Sequence, residues 1–246
     1  MSKGVIYDLG YSPYEGPRLG TASALRVTVT DSIRRVMGMR RRARKKIIPW
    51  LIVSLAVVPT IVFLGLEFLL GDFESPLRGT QTETYRNSFG FGSTLVLLFT
   101  AFAAPELLIP DREEGVLAVY SSRPLRAWDY LAARVIGLAA VLSFLLLVPQ
   151  ILMYVGFAAL RSDSFASAAI NNADHLPQIF LTTIVYIVGY GAPALFIATL
   201  AKRIGPAAAI YLGAMFATEE LVIAVVEGGS QLGKILALIS LREHPS

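Results

Sequence analysis

Between Pro110 and Arg134 the chain reads "PDREEGVLAVYSSRPLRAWDYLAAR", with eight charged side chains set between two long apolar stretches. Asp111, Glu113 and Glu114 follow Pro110 within about one helical turn, with Arg112 among them. A proline lacks the N–H that a first helical turn leaves unbonded anyway, and carboxylates there favour the positive end of the helix dipole. The pattern therefore predicts a short helix starting at Pro110, with Val116, Leu117, Val119 and Tyr120 as its apolar face. "SSRP" ends it, because the residue before a proline disfavours helix. "AWDYLAAR" begins the next helix and puts Trp128 and Tyr130 at the depth where aromatics collect at a membrane interface. Such residue types suit charge recognition, or a solvated loop between well-capped helices.

Three other carboxylates, Glu67, Glu219 and Glu220, fall late in apolar stretches. Ionisable groups within membrane spans are costly and often functional. They are candidates for a proton relay, or are charges that snorkel at the outer ends of the spans. Bond-making chemistry has little support. The chain has no cysteine and two histidines, His175 and His244, far apart. It carries no GxxxxGK[ST] phosphate loop, no HExxH, no metal-ligand cluster and no Ser/His/Asp set. The expectation is a chain that is not an enzyme and holds no cofactor itself.

The elements that must position these residues are apolar helices. Mean hydropathy is +0.59. Only 16% of residues are charged, against roughly 25% in soluble proteins. The predicted fold is an all-α integral membrane protein. Five stretches approach the length of a crossing, about 20 residues: roughly 47–70, 91–109, 131–160, 179–200 and 206–226. The third is long enough to demand tilt or a projection beyond the bilayer.

Basic residues near span ends set the orientation. "RRVMGMRRRARKK" holds the N-terminus in the cytoplasm, and it reads as a positive-inside anchor on lipid headgroups rather than a nucleic-acid contact. The segment 71–90 then faces outside, 110–130 returns to the cytoplasm with Arg112, Arg123 and Arg126, and 161–178 faces outside. Lys202 and Arg203 mark the last cytoplasmic turn. Residues 1–20 form an irregular Gly/Pro/Tyr-rich tail. Within 21–46, Leu25, Val29, Ile33, Val36 and Met37 recur at helical spacing, predicting a basic amphipathic helix in the interface. Residues 227–246 contain an apolar run too short to cross, so they read as an outer-surface or truncated segment.

The stretch "PELLIPDREEGVLAVYSSRPLRAWDYLAARVIG" resembles the loop between the second and third spans of type-2 ATP-binding-cassette export permeases. The residues carrying the likeness are Asp111, Arg112, Glu114, Gly115, Leu117, Ser122, Arg123, Pro124, Arg126 and Tyr130. The tail "IYDLGYSPYEGPRLG" is similar to that of actinobacterial members, and the basic amphipathic helix resembles the family's connecting helix. The resemblance implies a coupling helix, spanning Asp111–Tyr120 and including Glu113, that docks on a nucleotide-binding subunit. It also implies a second permease subunit, ATP and Mg held by the partner ATPase, and a bacterial cytoplasmic membrane. It further implies short re-entrant helices at the outer face, where Glu67, Glu219 and Glu220 are candidates to form an outer gate or pin a loop. Five spans is one fewer than that family's usual six.

Two other readings compete. An ion- or proton-coupled transporter needs Glu67, Glu219 or Glu220 and no ATPase. A membrane scaffold needs only the cytoplasmic tail and loop. Pro59, Pro149 with Gln150, and Gly189, Gly191 and Pro193 are candidate helix breaks of the kind that line transport paths. Gly65, Gly137, Gly156 and Gly213 are candidates for close helix contact.

Overall fold

In a computed structural model, the described residues are 16, 20–39, 43–70, 81–116, 126–160 and 164–227. Among them the chain is all-helical. The helices are α1 (Thr21–Val36), α2 (Ala43–Leu70), α3 (Gln81–Glu113), α4 (Ala127–Leu160), α5 (Phe165–Asn171), α6 (His175–Leu200) and α7 (Ile204–Glu227). Four of them, α2, α3, α4 and α6, are long and apolar enough to cross a membrane. Their outward surface is apolar as well. Leu51, Leu55, Val58, Val62, Leu66 and Phe68 along α2 are all exposed. A continuous apolar surface of this kind suits lipid rather than water.

The bundle is built around α3, which packs against α1, α2, α4, α6 and α7. Small residues let neighbours close in on it: Ala101, Ala104 and Pro105 are fully buried beside Val96 and Leu107. Aromatic rings fill the middle. Phe89 of α3 stacks on Tyr186 of α6, and Tyr186 on Tyr190, with centroids 5.9 and 5.8 Å apart. The Tyr211 hydroxyl of α7 donates to the Tyr190 carbonyl oxygen. At the end away from Asp111, Phe157 of α4 meets Phe63 of α2 and Tyr85 of α3 edge-on.

Several expectations change. No new helix starts at Pro110: α3 runs through Pro105 and Pro110 to Glu113. A proline removes one backbone hydrogen bond, and here the turns on both sides hold. The Glu114 N–H donates to the Pro110 carbonyl oxygen at 2.9 Å. The acidic residues thus sit at the C-terminal end of a long helix, not at the start of a short one. The ending is a Schellman closure: Val116 N–H bonds the Asp111 carbonyl oxygen and Gly115 N–H that of Arg112, with Gly115 at φ +67°. Only glycine adopts that backbone at little cost.

The helices α2, α4 and α6 likewise continue through Pro59, Pro149, Gly189, Gly191 and Pro193 without interruption. The segment 161–178, expected to be a loop, contains α5 and the first turn of α6. Tyr154 of α4 holds α5 by donating to the Ala169 carbonyl oxygen at 2.6 Å. Residues 1–15 and 228–246 lie outside the described residues.

The helix α1 packs lengthwise on α4. Its expected apolar stripe is partly inward, with Val36 and Met37 buried, while Arg26, Thr30 and Arg34 are exposed. The most buried positions, however, include Thr28 and Ser32. Each hydroxyl bonds a carbonyl one turn back, Ala24 for Thr28 and Thr28 for Ser32, which hides its polarity. A Cβ on Gly137 would lie 2.3 Å from Ser32 Cβ, so glycine there is what lets α1 and α4 touch. Gly156 does the same for Leu64 of α2, whereas Gly65 and Gly213 meet nothing nearby.

Candidate functional site

Where α1, α3 and α4 meet, four charged side chains and a tyrosine converge. Asp111, in the last turn of α3, is 1% exposed, and Arg134, in the second turn of α4, is fully buried. Asp111 Oδ2 accepts from Arg134 Nη2 at 2.5 Å and from the Tyr130 hydroxyl at 2.7 Å. Asp111 Oδ1 accepts from Arg35 Nη1 at 2.7 Å. Arg134 Nη1 turns the other way, to Asp31 Oδ2 at 3.1 Å and Ser32 Oγ at 2.9 Å. Its guanidinium also lies 5.2 Å from the centre of the Tyr130 ring. Asp31 closes the circuit to Arg35 at 3.5 Å.

The charges balance: two aspartates face two arginines. Balance matters because a buried ion costs several kcal/mol to desolvate, and only good geometry with further hydrogen bonds offsets it. Asp111 is satisfied on both oxygens. Arg134 is nearly so, with Nε alone lacking a partner. The Asp31 side chain is 47% exposed, so its links are screened by water and count for less than those of Asp111.

The neighbouring Arg112 points to a different helix. Its Nη1 donates to the Thr199 carbonyl oxygen at 2.5 Å, and its Nη2 to those of Ala198 and Ala201 at 2.6 and 2.7 Å. These carbonyls close α6, where the last turn has no backbone partners of its own and the dipole is negative. Two consecutive residues of "PDREEG" thus join the end of α3 to three other helices. Asp111 reaches α1 and α4, and Arg112 reaches α6.

Of the remaining candidates, Glu113, Glu114 and Gly115 are exposed just beyond this cluster. Arg126 precedes α4, and its backbone N–H is accepted by Asp129 Oδ2 at 3.0 Å, half of a capping box. Leu117, Tyr120, Ser122, Arg123 and Pro124 lie outside the described residues. Glu67 and Glu219 stand far along α2 and α7, away from the cluster. Glu220 belongs to α7. Tyr130, read as an interfacial aromatic, donates its hydroxyl to Asp111.

Sequence reasoning singled out Asp111 and Arg112 but not Asp31, Ser32, Arg35 or Arg134 as their partners. Arg134 had one visible signal, an arginine inside an apolar run, where a charge needs a partner. Arg35 was hidden within the basic run.

A second polar feature lies toward the other end of the bundle. Gln150 of α4 is 2% exposed and donates through Nε2 to Ser88 Oγ of α3 at 3.0 Å. Among the described residues its Oε1 has no partner. Pro59, Pro149 and Gln150 line one cavity of about 560 Å³ between α2, α3 and α4. Gly189, Gly191 and Pro193 are not part of that lining.

Among the described residues, no three His, Asp or Glu side chains gather as a metal ion would require. The polar cluster is suited to holding helix ends in register. No known protein family, curated protein or solved structure matches the chain.

Proposed function

We propose that the chain is the membrane-spanning permease subunit of an ATP-driven export complex, placed in a bacterial cytoplasmic membrane with its N-terminus inside. Two such subunits form the pathway. Two separate ATPase subunits hold ATP and Mg and bind at the cytoplasmic ends. In this reading α7, at 24 residues or about 36 Å, adds a fifth span to the four already described. The helix α1 lies at the cytoplasmic face.

One observation supports the reading above others. The exposed turn at Glu113–Gly115 follows directly on Asp111 and Arg112, which tie α3 to α1, α4 and α6. A push on the 110–130 segment passes to four helices at once, because a buried ion cluster is stiff and costly to separate. Rigid-body movement of a helix bundle is how transporters alternate access.

The test is reconstitution with candidate nucleotide-binding ATPase subunits from the same genome. Glu114→Lys and Glu113→Lys change exposed charges that lie outside the cluster. Each should lower copurification or permease-stimulated ATP hydrolysis while the protein still inserts and elutes normally. Unchanged copurification together with unchanged stimulation in both variants sinks the proposal.

A further inference from the structure

The cavity between α2, α3 and α4 has a buried floor and an exposed rim. Thr60, Leu145, Leu146, Gln150 and Met153 are buried at the floor, while Pro59, Phe91, Arg86 and Asn87 are exposed. Its volume of about 560 Å³ falls in the range of small-molecule sites, ~300–1,000 Å³. Val58 and Val62, beside Pro59, belong to the outward apolar surface of α2. The exposed rim of the cavity therefore borders the face that suits lipid.

The floor carries one unmet polar demand. Ser88 serves a single atom of the Gln150 amide, and the other is left over. A buried polar group without a partner is costly, and native interiors rarely leave one. The remaining lining, with Phe63, Gly92, Pro149 and Met153, is largely apolar.

We propose that this cavity binds a membrane-derived amphiphile that carries a hydroxyl group, its chain against Phe63 and Met153 and its hydroxyl on the Gln150 amide. A hydroxyl fits either amide atom, since it can donate to Oε1 or accept from Nε2. A carboxylate or phosphate only accepts, so it cannot meet the unpaired oxygen. The inference goes beyond ATP-driven export and stands whether or not an ATPase drives the chain.

The experiment uses the full chain in lipid nanodiscs and a diazirine analogue of dodecanol, with crosslinked peptides mapped by mass spectrometry. Labelling should saturate and fall within 84–92 and 145–153. Dodecanol should compete about tenfold better than dodecyl methyl ether, which cannot donate, because the ether leaves the amide oxygen unpaired. Gln150→Leu should remove that preference while a second probe, a diazirine analogue of dodecyl methyl ether, still labels the cavity. Gly92→Leu keeps Gln150 and fills the space from α3, so it should abolish saturable labelling by both. Equal competition by alcohol and ether overturns the assignment. So does labelling that never saturates, or that survives Gly92→Leu unchanged.

Discussion

Asp111 and Arg134 form an ion pair in which neither side chain is reachable by solvent. The pair joins α3 to α4 across 23 residues of sequence, and Arg35 brings α1 onto the same carboxylate. Asp111→Ala leaves the buried Arg134, together with Arg35, only the half-exposed Asp31 as a counter-charge, and should destabilise the protein by about 3–5 kcal/mol. Replacing Asp111 and Arg134 together by leucine removes both charges and should cost less than either single change. Thermal unfolding in detergent reads both. If the double variant is the least stable, the cluster is not held by charge compensation.

Arg112 closes the end of α6 through three carbonyls. Arg112→Ala should cost about 1–2 kcal/mol, the usual worth of a cation bonded at a helix C-terminus. Lysine should rescue little, since an ammonium lacks the planar fork that reaches three acceptors. Hydrogen exchange should show faster opening of residues 196–200 in both variants and little change in α2.

Gly115 ends α3 with a left-handed backbone at φ +67°. Nothing crowds the place of its missing Cβ, so any penalty is conformational. Gly115→Ala should lower stability by about 1 kcal/mol. Gly205→Ala is the control, since it also has open space but no positive φ. Equal losses at the two sites argue against the Schellman ending.

Among the four glycines expected at close contacts, the structure separates two from two. Gly137→Leu should drive α1 off α4, seen as new protease sensitivity between residues 21 and 39. Gly156→Leu should disturb α2 instead, because Leu64 stands in the way. Gly65→Ala and Gly213→Ala place a Cβ in space that is open among the described residues and should leave the protease pattern of α1 unaltered.

Much of the architecture was legible because apolar runs of crossing length have few other stable fates. Four of the five predicted spans match helices α2, α3, α4 and α6, though α3 extends well past both ends of 91–109. The misreading at Pro110 arose because proline is welcome at a helix start and merely tolerated within one. Only tertiary bonds from Asp111 and Arg112 decide between these. The inward face of α1 was hidden for a related reason. Thr28 and Ser32 read as polar in sequence, yet each donates its hydroxyl to the preceding turn and tolerates burial, and the Ser32 oxygen also accepts from Arg134. Pairings such as Arg134 with Asp31, 103 positions apart, depend on bundle geometry that no local pattern encodes.

The contact between Ser32 and Gly137 has a consequence for how this sequence can vary. Two side chains share one small volume there, and the present chain assigns nearly all of it to Ser32. The positions are therefore bound by a joint size limit rather than by two separate ones. A lineage can enlarge 137 only by shrinking 32, and cannot enlarge both. Even that exchange has a cost, because a Cβ at 137 still lies 3.3 Å from the Val29 carbonyl oxygen and glycine at 32 removes the hydroxyl that accepts from Arg134. Enlargement at either site alone reads as intolerance, and the exchanged pair as partial relief. That is the signature of steric epistasis at a helix crossing that never enters the apolar pattern.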